Sequence, residues 1–213
     1  MTSPEKKLVQ PFQLIDMESK NAQKIKTIEH HFRAIMEALE LDLEDGSIAK
    51  TPLRYAEMLV NELFSGLNEE NFPKITVQDN DFQYDQMLLE TNISIKSVCE
   101  HHFIPILGRC HIAYIPKKKV IGLSKLNRVA QYFASRPQVQ ERLTVQIRES
   151  LCDILETEDV AVVVDAMHLC VKMRGVKDED SLTRSTSLSG VFLTSPHRQE
   201  FFAAVPSMRE MSI

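Results

Sequence analysis

Cys99, His101 and His102 stand together in Cys99-Glu100-His101-His102, and His168 and Cys170 follow much later in the chain. Thiolate and imidazole are the ligands zinc prefers, in a tetrahedron, and a catalytic site keeps three protein ligands and leaves the fourth position for water or substrate. Cys99 and His102, three residues apart, can both turn toward one cation across a tight turn, which leaves His101 pointing elsewhere. The remaining ligand must come from a distance. Asp159 to Arg174 reads as a buried strand rich in Val and Ala. Counting in twos from His168 puts Cys170, Lys172 and Arg174 on one face and Leu169, Val171 and Met173 on the other. One face of that strand would then offer an imidazole, a thiol and two cations.

The elements that must position these groups belong to a chain of 213 residues, 43% hydrophobic, with a formal charge of -5. That size suits one domain with a full core plus an appendage. The acidic balance argues against general nucleic-acid binding, which needs a basic face to displace counterions. No stretch approaches the apolar length of a membrane span, and Met1-Thr2-Ser3-Pro4-Glu5-Lys6-Lys7 lacks the apolar core of a signal peptide. A cytoplasmic protein is expected. Four cysteines are too sparse for a disulfide framework, so they read as ligands, nucleophiles or core.

Residues 1 to about 18 read as a loose arm. Ile25, Ile28, Phe32, Ile35, Met36 and Leu39 recur at helical spacing and predict a helix from about Ser19 to Leu41. Thr51 as cap, Pro52 in the first turn and Gly66 as terminator frame a second helix. Asn68 to Asp85 reads as loop, Ile93 to Val98 and Ile104 to Ile115 as strands, and Pro116-Lys117-Lys118-Lys119 as an exposed turn. A short helix is predicted from Ser124 to Arg136, carrying Leu126, Val129, Ala130 and Phe133 inward, and a longer one from Gln138 to Leu155 with Val139, Leu143, Ile147, Leu151 and Ile154 on its buried stripe. After the Asp159 strand come a polar loop at Lys177 to Ser185, a last strand near Leu188 to Thr194 and a helix near His197 to Val205. Strands grouped around paired helices predict α+β with an antiparallel sheet. Cys110 and Cys152 read as core, His111 as alternating outward from Cys110, His197 as structural, and His30-His31 as surface or interface.

Four blocks resemble the GTP cyclohydrolase I family: Ser97-Val98-Cys99-Glu100-His101-His102, Gly122-Leu123-Ser124-Lys125, Arg136-Pro137-Gln138-Val139-Gln140-Glu141-Arg142-Leu143 and His168-Leu169-Cys170-Val171-Lys172-Met173-Arg174-Gly175. The resemblance implies a T-fold catalytic domain over 51–205, after an N-terminal arm and helical extension over 1–50 and before a tail over 206–213. It implies a homo-oligomeric ring, a toroidal decamer of two pentamers with pockets shared between subunits. The implied reaction is hydrolysis of GTP to 7,8-dihydroneopterin triphosphate and formate, the first step of folate or tetrahydropterin biosynthesis. By similarity one Zn2+ per subunit is held by Cys99, His102 and Cys170, its bound water attacks guanine C8, and His101 and His168 are the acid/base pair.

The chain has no Gly-rich Walker loop, so a triphosphate must be met by side-chain cations. Lys125, Arg128 and Arg174 are the candidates, with Ser124 beside them and Arg54 lent, by the family resemblance, from a neighbouring subunit. Glu141 can accept from the guanine N1–H and exocyclic amine together, and Gln140 can add a contact. Arg184 and Met173 stand where smaller residues are expected. Two other readings compete with the hydrolase. One is a pterin-handling relative with a three-histidine zinc site, against which the two cysteines speak. The other is a ring-forming binding protein whose structural zinc takes a fourth ligand from Cys110 or His101.

Overall fold

The computed structural model describes residues 11–208. Residues 1–10 of the expected arm and 209–213 of the expected tail lie outside the described residues. The chain divides into two compact units at the Phe64/Ser65 boundary, whereas the sequence reading separated extension from catalytic domain after residue 50.

The first unit pairs helix α1 (Pro11–Ala38) with helix α2 (Thr51–Met58), which runs on into a π turn at Leu59–Leu63. Met36, Ala56 and Leu59 are buried, and Phe32 stacks on Tyr55 with ring centroids 3.9 Å apart. The expected helix of Ser19 to Leu41 begins earlier, at Pro11, whose fixed φ suits a first helical position. Lys50 rather than Thr51 takes the N-cap position, with Pro52 in the first turn as expected, and the π turn ends before Gly66.

In the second unit the strands are β1 (Val77–Asp79), β2 (Leu88–Cys99), β3 (Pro105–Tyr114), β4 (Lys119–Ile121), β5 (Pro137–Gln138), β6 (Val160–His168) and β7 (Thr183–Leu188). The helices are α3 (Leu123–Ala134), α4 (Gln140–Leu155), the single turn α5 (Leu169–Lys172) and α6 (His197–Ala204). The main sheet runs β5-β2-β3-β6-β7, antiparallel except where β5 lies parallel to the end of β2, and β1 pairs with β4 as a small separate ribbon. The class is α+β with a mainly antiparallel sheet, as expected. A bulge between Glu90 and Ile93 in β2, with Asn92 at φ 61, adds local twist.

Alternation along the strands builds two cores. Ile93, Ile95, Cys110, Ile112, Val162 and Val164 face α3 and α4, which bring Leu126, Val129, Leu143, Ile147 and Leu151 onto them. The stripe predicted for α4 is therefore its buried face. The other sheet face is also covered: Ala113, Ala161 and Val163 meet Phe192, Phe201 and Val205 from the 3-10 turn Gly190–Leu193 and from α6. Burial on both faces explains why β6 carries an unbroken apolar run. Gly190 makes the 3-10 turn possible. It sits at φ +55, and a Cβ there would stand 2.2 Å from Asp159 Oδ1, which accepts the Val191 N–H at 2.9 Å.

Three expectations fail for physical reasons. The strand from Asp159 stops at His168, and Leu169–Lys172 turns helical, so face counting in twos does not extend from His168 to Cys170, Lys172 and Arg174. The last strand is Thr183–Leu188, which begins inside the segment read as polar loop and ends where the strand was expected to start, because an edge strand with one wet side tolerates Thr, Arg and Ser; Gly190–Leu193 is a 3-10 turn instead. His111 does alternate away from Cys110, yet it is buried because the face it reaches is covered.

Candidate metal centre and active site

The β2–β3 hairpin carries the Cys99–His102 half of the site. Cys99 donates its N–H to Ile104 O (2.9 Å), and the Phe103 N–H returns to Cys99 O (2.8 Å), with Phe103 at φ 52 closing the turn. The loop is tied to the chain before α4, because Glu100 donates its N–H to Gln138 O at 3.0 Å. Arg142 braces the same loop. It binds the Glu100 carboxylate and reaches Gln138 Oε1 (3.0 Å) and Pro137 O (3.1 Å). Neither Glu100 nor Arg142 was given a role from sequence. The only signal was position, beside Cys99 and beside Glu141.

The second half comes from the end of β6, where His168 is the last strand residue and Cys170 sits in the turn α5. The turn swings Cys170 toward the hairpin, and one donor atom each from Cys99, His102 and Cys170 lies within 4.8 Å of the others. Cys99 Sγ stands 4.0 Å from His102 Nδ1 and 3.7 Å from His101 Nδ1. Metal–sulfur bonds of about 2.3 Å and metal–nitrogen bonds of about 2.0 Å in a tetrahedron set neighbouring ligand atoms about 3.5–3.8 Å apart. The trio fits a small divalent cation with closure of well under 1 Å between Cys99 and His102. Burial, reinforced by the neighbouring Cys99, pushes the Cys170 thiol up, the environment expected of two sulfurs that share a site.

Around the trio stand the other groups. Arg174 Nη1 donates to His102 Nε2 at 2.8 Å. His168 is half-buried, and burial lowers its pKa below the usual imidazole range while the nearby Glu141 charge opposes the shift. Its Nε2 lies 2.7 Å from Gln140 Oε1, and the Gln140 side chain is buried. Glu141, Arg174 and His101 are exposed. Ser124 and Arg128 are exposed on α3, and Lys125 donates to Lys74 O at 3.0 Å. Arg54 is exposed on α2, in the first unit. The structure thus gathers Cys99, His102, Cys170, His101 and Arg174 around one point, with His168, Gln140 and Glu141 linked in a second group. Among the described residues of the second unit, the contacts do not join Ser124, Lys125 or Arg128 to either.

The other sheet face holds a polar cluster that sequence reading missed. Arg184 clasps the fully buried Asp165 with two hydrogen bonds of 2.6 Å and reaches Pro206 O at 3.2 Å, and His111 Nε2 stands 3.6 Å from Asp165 Oδ2. The large residue at 184 is therefore the partner of a buried charge.

Comparison with known proteins decides the family. The GTP cyclohydrolase I profile matches residues 28–206. The chain belongs to the GTP cyclohydrolase I family. GTP cyclohydrolase 1 of Aeromonas hydrophila is 56% identical over 184 residues, which cover 86% of this chain and 84% of that protein. GTP cyclohydrolase 1 of Erwinia tasmaniensis is 56% identical over 176 residues (82% and 80%), and that of a Shewanella strain is 55% identical over 175 residues (82% of each). As a member of the GTP cyclohydrolase I family the chain is a hydrolase, and Cys99, His102 and Cys170 are a candidate metal site in it. Among the described residues, no helix is long and apolar enough to cross a membrane.

Proposed function

We propose that the chain hydrolyses GTP to 7,8-dihydroneopterin triphosphate and formate, the first step of a folate or tetrahydropterin pathway in the cytoplasm, using one Zn2+ per subunit. The observation that carries this reading is the convergence of Cys99, His102 and Cys170 within 4.8 Å in a chain of this family. Bound there, the cation would supply Lewis acidity and make water acidic enough to serve as a nucleophile near neutral pH.

The chain's own residues do the rest. Opening the guanine five-membered ring at C8 needs protons delivered and removed. His168, kept neutral by burial, and His101 beside Cys99 are the groups suited to that exchange. Glu141 holds the base by accepting from its N1–H and exocyclic amine, a donor pair that adenine lacks. Lys125, Arg128 and Arg174 take the triphosphate, with Ser124 alongside. Arg174 donates to His102 Nε2 at 2.8 Å; were a cation held through His102 Nδ1, the remaining ring proton would sit on Nε2, which could then not accept from a guanidinium, and Arg174 would be left for phosphate.

The oligomer proposed is a T-fold ring, a decamer of two pentamers in which Arg54 completes a neighbour's pocket. Purified protein given GTP is expected to release formate and accumulate a fluorescent pterin. His168→Ala should keep its zinc and lose turnover by at least about 100-fold. Full turnover in that variant would remove the proton-transfer role.

A further inference from the structure

Gln140 opens α4, is 2% exposed and has every polar atom of its amide in use. Its Nε2 donates to Val164 O at 2.8 Å and to Thr183 O at 2.9 Å, one carbonyl from β6 and one from β7. Both partners are backbone carbonyls, which only accept, so the orientation of the amide is fixed: turned over, it would set its oxygen against two others. The helix start is held as well. Thr144 Oγ1 donates to Gln140 O at 2.7 Å and lies 2.6 Å from Ser185 Oγ, joining α4 to β7. Three elements therefore aim Gln140 Oε1 at His168 Nε2, 2.7 Å away.

An amide oxygen only accepts, so His168 Nε2 must donate, and a neutral imidazole with its proton on Nε2 leaves Nδ1 bare. We infer that Gln140 is the positioning residue of His168, fixing the Nε2–H tautomer so that Nδ1 is the nitrogen that exchanges protons with substrate, and that Gln140 makes no contact with the base. Both amide protons are committed to buried carbonyls, the oxygen already faces the imidazole, and at 2% exposure the group presents no open polar face to a base. The inference rests on the proposed role of His168 and deepens it.

The test compares wild type with Gln140→Met, close in shape and lacking the amide, with GTP as substrate. Partners that orient a metal-ligating histidine typically cost 10–100-fold when removed, and an effect of that order is expected for the partner of His168. The expected result is a kcat lower by about 10–100-fold, with KM for GTP within about twofold and zinc content unchanged. A raised KM with kcat intact would make Gln140 a base contact and overturn the inference, as would an unchanged kcat. A second measurement stands even where Gln140→Met does not fold: solid-state 15N spectra of histidine-labelled wild type, with His168 assigned by its loss in His168→Asn. An unprotonated Nδ1 and a protonated Nε2 support the inference, and the reverse tautomer overturns it. Wild type without GTP turnover would sink the proposed function while leaving the tautomer result to decide this point.

Discussion

Cys170→Ala is the substitution whose outcome follows most directly from the site. Cys99 and His102 share one hairpin and meet at 4.0 Å, but the third donor arrives only through the turn α5, so removing it leaves two ligands on a single loop. Four-ligand structural zinc sites bind with about 10–16 kcal/mol, roughly 2.5–4 kcal/mol per ligand. Losing one of three should weaken zinc by about 100-fold to 1,000-fold, at about 1.4 kcal/mol per factor of ten. The assay is competition against a chromogenic chelator, with elemental analysis of the dialysed protein. Cys110→Ala is the control. That thiol is fully buried and lies outside the cluster, so its loss should leave affinity within about twofold. Cys170→Ala with near wild-type affinity would refute the ligand assignment, and a Cys110→Ala loss of equal size would favour a closed structural site.

Other expectations follow from individual contacts. Glu141→Ala should relax the preference for GTP over ATP by about 5- to 150-fold, since a paired acceptor is worth about 1–3 kcal/mol, and unchanged discrimination in competition assays would remove the base contact. Arg184→Met should destabilise by about 3–5 kcal/mol, because it strands the fully buried Asp165 carboxylate; a thermal midpoint equal to wild type would contradict this. Burial holds the His111 pKa below the usual imidazole range, opposed by Asp165 and supported by Arg184. The folded state then binds fewer protons there than the unfolded chain, so the stability this gives is present above about pH 6.5 and fades as pH falls toward the lowered native value. His111→Gln should flatten that acid-side slope in unfolding titrations, and an identical slope would dismiss it.

Much of the candidate metal site was legible because few residue types bind a small divalent cation. A Cys and a His three apart, with a distant Cys, left few ways to complete a tetrahedron, and the structure brings those atoms together. The α3 and α4 stripes were legible because each helix buries one face. The route to Cys170 was not, since Leu169-Cys170-Val171-Lys172 alternates like a strand and also suits one helical turn, and only the contacts after β6 decide between them. Gln140 read as a second base contact because a polar residue beside Glu141 at a helix start is ordinarily wet. Its burial depends on carbonyls of β6 and β7, far off in sequence. The Asp165–Arg184 pair and the burial of His111 share a cause. The unbroken run Val160–Val164 announced a strand covered on both sides, and that signal, followed through, would have placed His111 inside.

The central claim, hydrolysis at guanine C8 by a metal-loaded site, is tested most directly with GTP labelled with 13C at C8 and followed by NMR. One labelled formate per GTP consumed is expected from zinc-loaded protein, and none after the metal is stripped. Label retained in the purine ring with zinc bound, or full formate release by a preparation shown to be metal-free, would contradict it.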